Sequence, residues 1–340
     1  MKALLKYFIP ILLIFSLCHT SSGQGHKPRK KINGTSLVNP PSPVKIETIE
    51  SVTRINSDWV AIIPYAFCRQ NEPGVYFNNN RQWWGEKVEG TKELIKMSQK
   101  CKLNVMVKPH IWMGGGFIGN YDLNSEEKWL EWEESYEKYI MTFAKVSQSL
   151  DVPLLCIGTE LKKAVKREKY WRSLIDKVRD VYCGQITYAS NWDNYNEVKF
   201  WDALDYIGVD AYFPLVDGKT PEASEIESAW GATKLDLKAV SKRYDVPVLF
   251  TEYGYQSVDG AAGKHWEVNT SSSYLNMEVQ SRSYECLFRS FWNEEWFAGG
   301  FLWKWHLKEN AGGEGDPNFT PQGKPVEAVI KKWYGTVPKG

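Results

Sequence analysis

Eight short apolar runs alternate with helical patterns along this 340-residue chain. The runs end near Val38, Phe67, Ile111, Glu160, Trp192, Phe213, Tyr253 and Trp305. They are rich in Val, Ile, Leu, Tyr and Phe, and most are nearly continuous in apolar residues. Strands buried on both faces read this way. Between them lie helical patterns, among them 87–102, 126–149, 168–182, 225–244 and 276–294. Pro153 and Pro247 punctuate two of the helix-to-strand joints. Eight strands alternating with helices predict an α/β chain folded as one domain, a (β/α)8 TIM barrel. The alternative is a doubly wound open sheet. That fold would want a Gly-rich phosphate turn after the first strand, and Asn39-Pro40-Pro41 stands there instead.

The start of the chain does not belong to this pattern. Lys2 and Lys6 precede an apolar run over 7–17, and the small residues Ser21 and Gly23 follow. The run is too short to span a bilayer. It reads as a signal peptide over 1–23, with a mobile leader over 24–31 and the folded domain over 32–340. Export to the periplasm or beyond the cell is therefore expected. Lipid anchoring at Cys18 is the alternative, but Leu17 occupies the position where a lipoprotein signal wants a small residue. No later apolar run reaches 18 residues, so stable membrane insertion of the mature chain is not expected.

Without Cys18 five cysteines remain, widely spaced and with no CxxC pair. That pattern makes neither a disulfide framework nor a cysteine zinc site. Cys68 and Cys156 fall in strand-like runs and are expected as small buried hydrophobes. One disulfide stays open in an oxidising compartment. Forty-two basic side chains balance 41 acidic ones, which argues against nucleic acid as a partner. No HExxH motif occurs, so neither a metal nor any other cofactor is implied.

A barrel of this kind carries its active site at the C-terminal ends of its strands. The fourth run, VPLLCIGTEL, ends with Glu160, and the seventh, VPVLFTEYGY, ends with Glu252. Strict alternation of faces puts Glu160 with Gly158 and Cys156, small residues suited to a crowded barrel interior. It puts Glu252 with Phe250 and Val248. Two carboxylates on separate strand ends are what glycoside hydrolysis needs. A lone strand-end Glu would read as a salt-bridged structural group. The other ends are polar or aromatic too: Lys108, His110 and Trp112; Asn191 and Trp192; Asp210 and Tyr212; Trp303 and Trp305. Sixteen Trp and 18 Tyr supply flat faces for a pyranose, whose hydroxyl rim wants polar neighbours. These nine residues are the candidate substrate contacts. A non-catalytic sugar-binding barrel remains an alternative, but it would be expected to lack one carboxylate. A serine hydrolase would want GxSxG, which is absent.

The segments KPHIW, LLCIGTEL, TYASNWD, FWDALDYIGVDAYFPL, PVLFTEYGYQS and FAGGFLWKW, with the tail FTPQGKP, occur in this order between about residues 32 and 334. Together they resemble glycoside hydrolase family 113. The resemblance implies a retaining clan A barrel acting chiefly on β-1,4-mannan, with Glu160 as acid/base and Glu252 as nucleophile. It implies Tyr212 beside the nucleophile and Trp303 as the floor under the reacting sugar. Many clan A enzymes carry Asn before the acid/base, where this chain has Thr159. Xylan and β-glucan remain alternative polymers, since hydroxyl orientation at single carbons separates them from mannan. The expected partner is a polysaccharide or oligosaccharide, met by a monomer. Retention would require the two carboxyl groups to lie about 5–5.5 Å apart.

Overall fold

A computed structural model describes residues 30–271 and 274–336. Residues 1–23, expected as a signal peptide, and Cys18 within them lie outside the described residues. Among the described residues ten strands form: β1 (Ile32–Val38), β2 (Trp59–Ile62), β3 (Tyr65–Cys68), β4 (Asn104–Val107), β5 (His110–Met113), β6 (Leu154–Thr159), β7 (Gln185–Asn191), β8 (Tyr206–Asp210), β9 (Val248–Tyr253) and β10 (Phe297–His306). Eight of them close a parallel barrel in the order β1-β10-β9-β8-β7-β6-β4-β2. The helices are α1 (Ile46–Glu50), α2 (Val88–Lys100), α3 (Glu126–Ser149), α4 (Glu168–Arg179), α5 (Ala223–Tyr244), α6 (Met277–Phe291) and α7 (Val326–Tyr334). Five of them match the helical patterns of the sequence to within a few residues. The fold is the expected (β/α)8 barrel.

Two apolar layers hold it together. The barrel interior is filled by small and medium side chains, including Ala61, Met106, Leu154, Cys156, Ala189 and Leu249. A larger cluster lies between the strands and the helices, with Trp132, Trp171, Trp201 and Trp230 fully buried in it. Much of the Trp content is therefore core. Cys68 and Cys156 are buried free thiols.

The second and third apolar runs do not stay in the barrel. Each is cut by a proline, Pro64 or Pro109, whose missing N–H cannot join a ladder. Beyond the cut, β3 and β5 pair with each other as a small parallel sheet above the barrel. Tyr139 of α3 pins this sheet, its hydroxyl donating to the carbonyls of Pro64 at 2.7 Å and His110 at 3.1 Å. The runs expected to end at Phe67 and Ile111 thus end their barrel strands at Ile62 and Val107.

Three barrel strands shift register near their C-terminal ends. In β6 the span Cys156–Thr159 faces only Thr187–Ala189 of β7. In β9 the span Phe250–Tyr253 faces only Gly300–Leu302 of β10. In β10 the span Leu302–Trp305 faces only Thr35–Leu37 of β1. Each shift inserts one residue and reverses the alternation of faces beyond it. These strands carry Glu160, Glu252 and Trp303 respectively.

Candidate active site

The bulge in β9 accounts for the direction of Glu252. Val248 and Phe250 belong to the layer under the helices, so unbroken alternation would aim Glu252 there as well. The inserted residue turns it into the barrel mouth, where it is buried against Lys108. In β6 the same effect sends Gly158 outward, where a Cβ would come within 2.9 Å of the Tyr188 and Trp171 rings. Cys156 is an interior residue as expected from alternation, and Gly158 is not. Glu160 then takes a left-handed backbone, φ 55°, fixed by its N–H donating to the Ala189 carbonyl at 2.8 Å.

At the centre is a three-residue charge cluster. Lys108, directly after β4, is fully buried. Its ammonium donates to Asp210 Oδ1 at 3.1 Å and Oδ2 at 3.2 Å, and to Glu252 Oε1. Asp210, at the end of β8, is also fully buried and takes a further bond from Thr251 at 2.8 Å. The other Glu252 oxygen accepts from the Tyr212 hydroxyl at 2.8 Å. Both oxygens of Glu252 are thereby held by donors that follow two different strands, β4 and β8. Burial alone would lower the Lys108 ammonium, but the charges of Asp210 and Glu252 outweigh it and hold it above its ordinary value. Burial and the Glu252 charge raise Asp210 to about 7, against the pull of Lys108 and Thr251.

Glu160 has the opposite setting. Burial, and then the charges of Asp210 and Glu252, push its carboxyl well above the usual range, and Lys108 offsets only part of this. Such a setting favours the protonated form of the carboxyl. A carboxyl whose setting favours the proton, Glu160, therefore lies within the field of Glu252, whose two oxygens accept from Lys108 and Tyr212.

The other candidates divide into groups. Lys108 and Asp210, expected as substrate contacts, are fully buried, with Lys108 bonded to both Asp210 and Glu252. A sequence shows a polar strand end but not that two such ends point at each other. Trp305, also expected in the cleft, is fully buried in the outer layer. Its indole donates to Ser51 Oγ at 3.0 Å and its ring lies under the Arg54 guanidinium. The β10 bulge separates it from Trp303, which stays against the inner cluster. Gly254 permits this approach, because a Cβ there would sit 2.5 Å from the Trp303 carbonyl oxygen.

His110 packs on Tyr65 with ring centres 5.3 Å apart. Burial and the Lys108 charge lower it to about 4, so it is neutral in the physiological range. Asn191 donates to Asp193 at 3.0 Å on the rim. Trp192 stacks on Trp266 at 6.0 Å. Trp112, on β5, is 54% exposed and meets Phe67 edge-on.

Several neighbours escaped sequence reasoning. Thr251 supports Asp210, and its place beside Glu252 in the TEY segment was the available signal. His265 and Phe319 pack on the Tyr212 ring at 5.0 and 5.9 Å. They come from loops with no periodicity to read. Among the described residues, no group of three or more His, Cys, Asp or Glu is placed to hold a metal ion. No described helix is long and apolar enough to cross a membrane.

A (β/α)8 barrel with two buried glutamates at its strand ends, one in a setting that favours its proton and one held by donors, has the form of a glycoside hydrolase. Comparison with known proteins makes this specific. The profile of Glycoside Hydrolase Family 113 matches residues 42–324, and the chain belongs to that family. Among solved structures, it is similar to the GH113 β-mannanase AaManA of Alicyclobacillus acidocaldarius in complex with ManMIm. The TM-score is 0.80 at 23% identity, over 89% of this chain and 97% of that one. A GH113 β-1,4-mannanase, solved as a complex, gives a TM-score of 0.78 at 26% identity, over 91% of this chain and all of the other. A β-glucuronidase of Ruminococcus gnavus shares only the fold, at 13% identity and a TM-score of 0.60 over 89% of this chain and 50% of that one. No curated protein matches the sequence.

Proposed function

We propose that this chain hydrolyses β-1,4-linked mannan with retention of configuration, by double displacement. The observation that carries the proposal is the contrast between its two carboxyl groups. Glu252 has both oxygens held by donors, whereas burial and neighbouring negative charge keep a proton on Glu160. In the first step a Glu252 oxygen attacks the anomeric carbon. The bond to the leaving oxygen breaks, and Glu160 gives that oxygen its proton. In the second step Glu160, now a carboxylate, takes a proton from water as the water oxygen attacks the anomeric carbon. The ester bond to Glu252 breaks and both carboxyl groups return to their starting states.

Lys108 and Tyr212 hold the attacking carboxylate, and Trp303 offers an apolar face to the sugar ring. The choice of mannan rests on family membership and on the mannanase neighbours. We further propose that the enzyme is exported, on the strength of the basic start and the apolar run over 7–17.

The test is sugar release from β-1,4-mannan, glucomannan, xylan and a β-glucan, by the mature chain and its Glu252→Ala variant. Cleavage of the mannans that disappears in the variant supports the proposal. Cleavage confined to xylan or glucan overturns the substrate, and mannan cleavage that survives in the variant overturns the role of Glu252.

A further inference from the structure

Among the described residues four lysines are substantially withdrawn from water, and three have clear structural employment. Lys31 donates to the carbonyls of Glu294 and Phe297. Lys108 donates to Asp210 and Glu252. Lys324 donates to Ser257, Asp316 and the Asn318 carbonyl. The fourth, Lys304, is half-buried and makes no hydrogen bond or ion pair with any described residue. Its ammonium lies 5.4 Å from the centre of the Trp303 ring. Withdrawing an ammonium from water without an acceptor is costly, and a bound ligand could supply the missing acceptor.

The position of Lys304 suggests which ligand. It follows Trp303 in the β10 bulge, and the Trp303 backbone closes on Gly254, two residues beyond Glu252. Lys304 feels the charge of Glu252 but is not paired with it. This edge of the mouth is locally positive. Lys304, Lys308 and Lys324 all act on His306, against Asp316 alone, and Asp316 is already engaged by Lys324 at 3.2 Å. A neutral hydroxyl would satisfy a donor but leave this excess charge. A carboxylate would satisfy both. Near Asp210 and Glu252, a negatively charged sugar would otherwise be repelled.

We infer that Lys304 is a substrate-contacting residue that selects a glycan bearing a uronic-acid carboxylate at or beside the reacting sugar. This deepens the mannanase reading and rests on it for the location of the cleft. The test uses one backbone in two forms, neutral β-1,4-mannan and the same mannan partly oxidised at C6 to uronic acid. For the wild type, kcat/KM on the oxidised form should exceed that on the neutral form by about tenfold or more, the range of a charge-assisted hydrogen bond. Lys304→Met should bring that ratio to one or below, and Lys304→Arg should keep most of it.

A wild-type ratio at or below one overturns the inference, as does a ratio that survives in Lys304→Met. If neither polymer is cleaved, the mannanase reading fails separately. Calorimetry with the two matching oligosaccharides then decides on Lys304. Tighter binding of the acidic one that is lost in Lys304→Met supports the inference, and equal binding overturns it.

Discussion

Replacing Lys108 by Met tests the charge cluster around Glu252, the proposed nucleophile. The substitution keeps an unbranched side chain of similar length in a fully buried position and removes only the ammonium. At the observed 3.1 Å to Asp210, and with an effective dielectric near 20, one such ion pair is worth about 5 kcal/mol before desolvation. The introduced thioether carries no desolvation cost of its own, but Asp210 and Glu252 would face each other uncompensated. The net loss of stability should be about 3–5 kcal/mol with both groups charged.

The variant has one means of relief, which is to bind a proton between the two carboxyls. That relief is available at low pH and withdrawn as pH rises. Urea unfolding should therefore show a deficit that is largest near pH 8 and clearly smaller near pH 5. Catalysis should suffer too, because Glu252, the proposed nucleophile, loses one of its two donors. A fall in kcat/KM of about 10²–10³ is expected, with the acid limb of the pH profile moved upward. A stability deficit that does not vary with pH, together with kcat/KM within threefold of the wild type, would refute the reasoning.

Other substitutions probe the remaining parts of the site. Tyr212→Phe removes the second donor to Glu252 and should lower kcat/KM by about 10–100-fold, with the fold intact by circular dichroism. Asp210 at about 7 and Glu160 above its usual range both bind protons more tightly folded than unfolded. Their contribution to stability is present below about pH 4 and is lost as pH rises through 7. Glu160→Gln should therefore flatten the decline of wild-type stability over that interval, measured by urea unfolding at each pH. An unchanged slope would show that Glu160 does not hold its proton in the folded state. Trp305→Ala should cost about 3–5 kcal/mol of stability while leaving KM near the wild-type value. Trp303→Ala should raise KM or lower kcat by about tenfold.

The barrel was legible because its strands are buried on both faces and its helices are periodic. The five helical patterns and, to within a residue, five of the eight strand ends could be read from that contrast alone, and the sixth run, expected to end near Phe213, ends its strand at Asp210. The second and third ends were misplaced because apolar character runs on past Ile62 and Val107. Pro64 and Pro109 marked both breaks and carried the missing signal.

At the site, Glu160 and Glu252 stood out as acids in apolar strands. Their directions could not be derived by alternation, since a bulge intervenes in each of their strands. The same limit explains Trp305: its parity matches Trp303, and one inserted residue moves it to the other face. Lys108 and Asp210 were recognisable as strand-end groups. Their burial depends on a three-way meeting of β4, β8 and β9, which no single segment encodes. Family membership added what the physics of one sequence does not contain, the expectation of mannan.

The central claim is that Glu252 becomes covalently bonded to the sugar while Glu160 acts as acid and then base. A 2-deoxy-2-fluoro-β-mannosyl fluoride, which reacts readily but turns over slowly, would trap that intermediate. Intact-mass measurement followed by peptide mapping should find one fluoromannosyl group per chain, on Glu252. It should be absent in Glu252→Ala and discharged when a mannan oligosaccharide is added. A label on another residue would contradict the account. So would rapid hydrolysis with no label and with inverted anomeric configuration in the product.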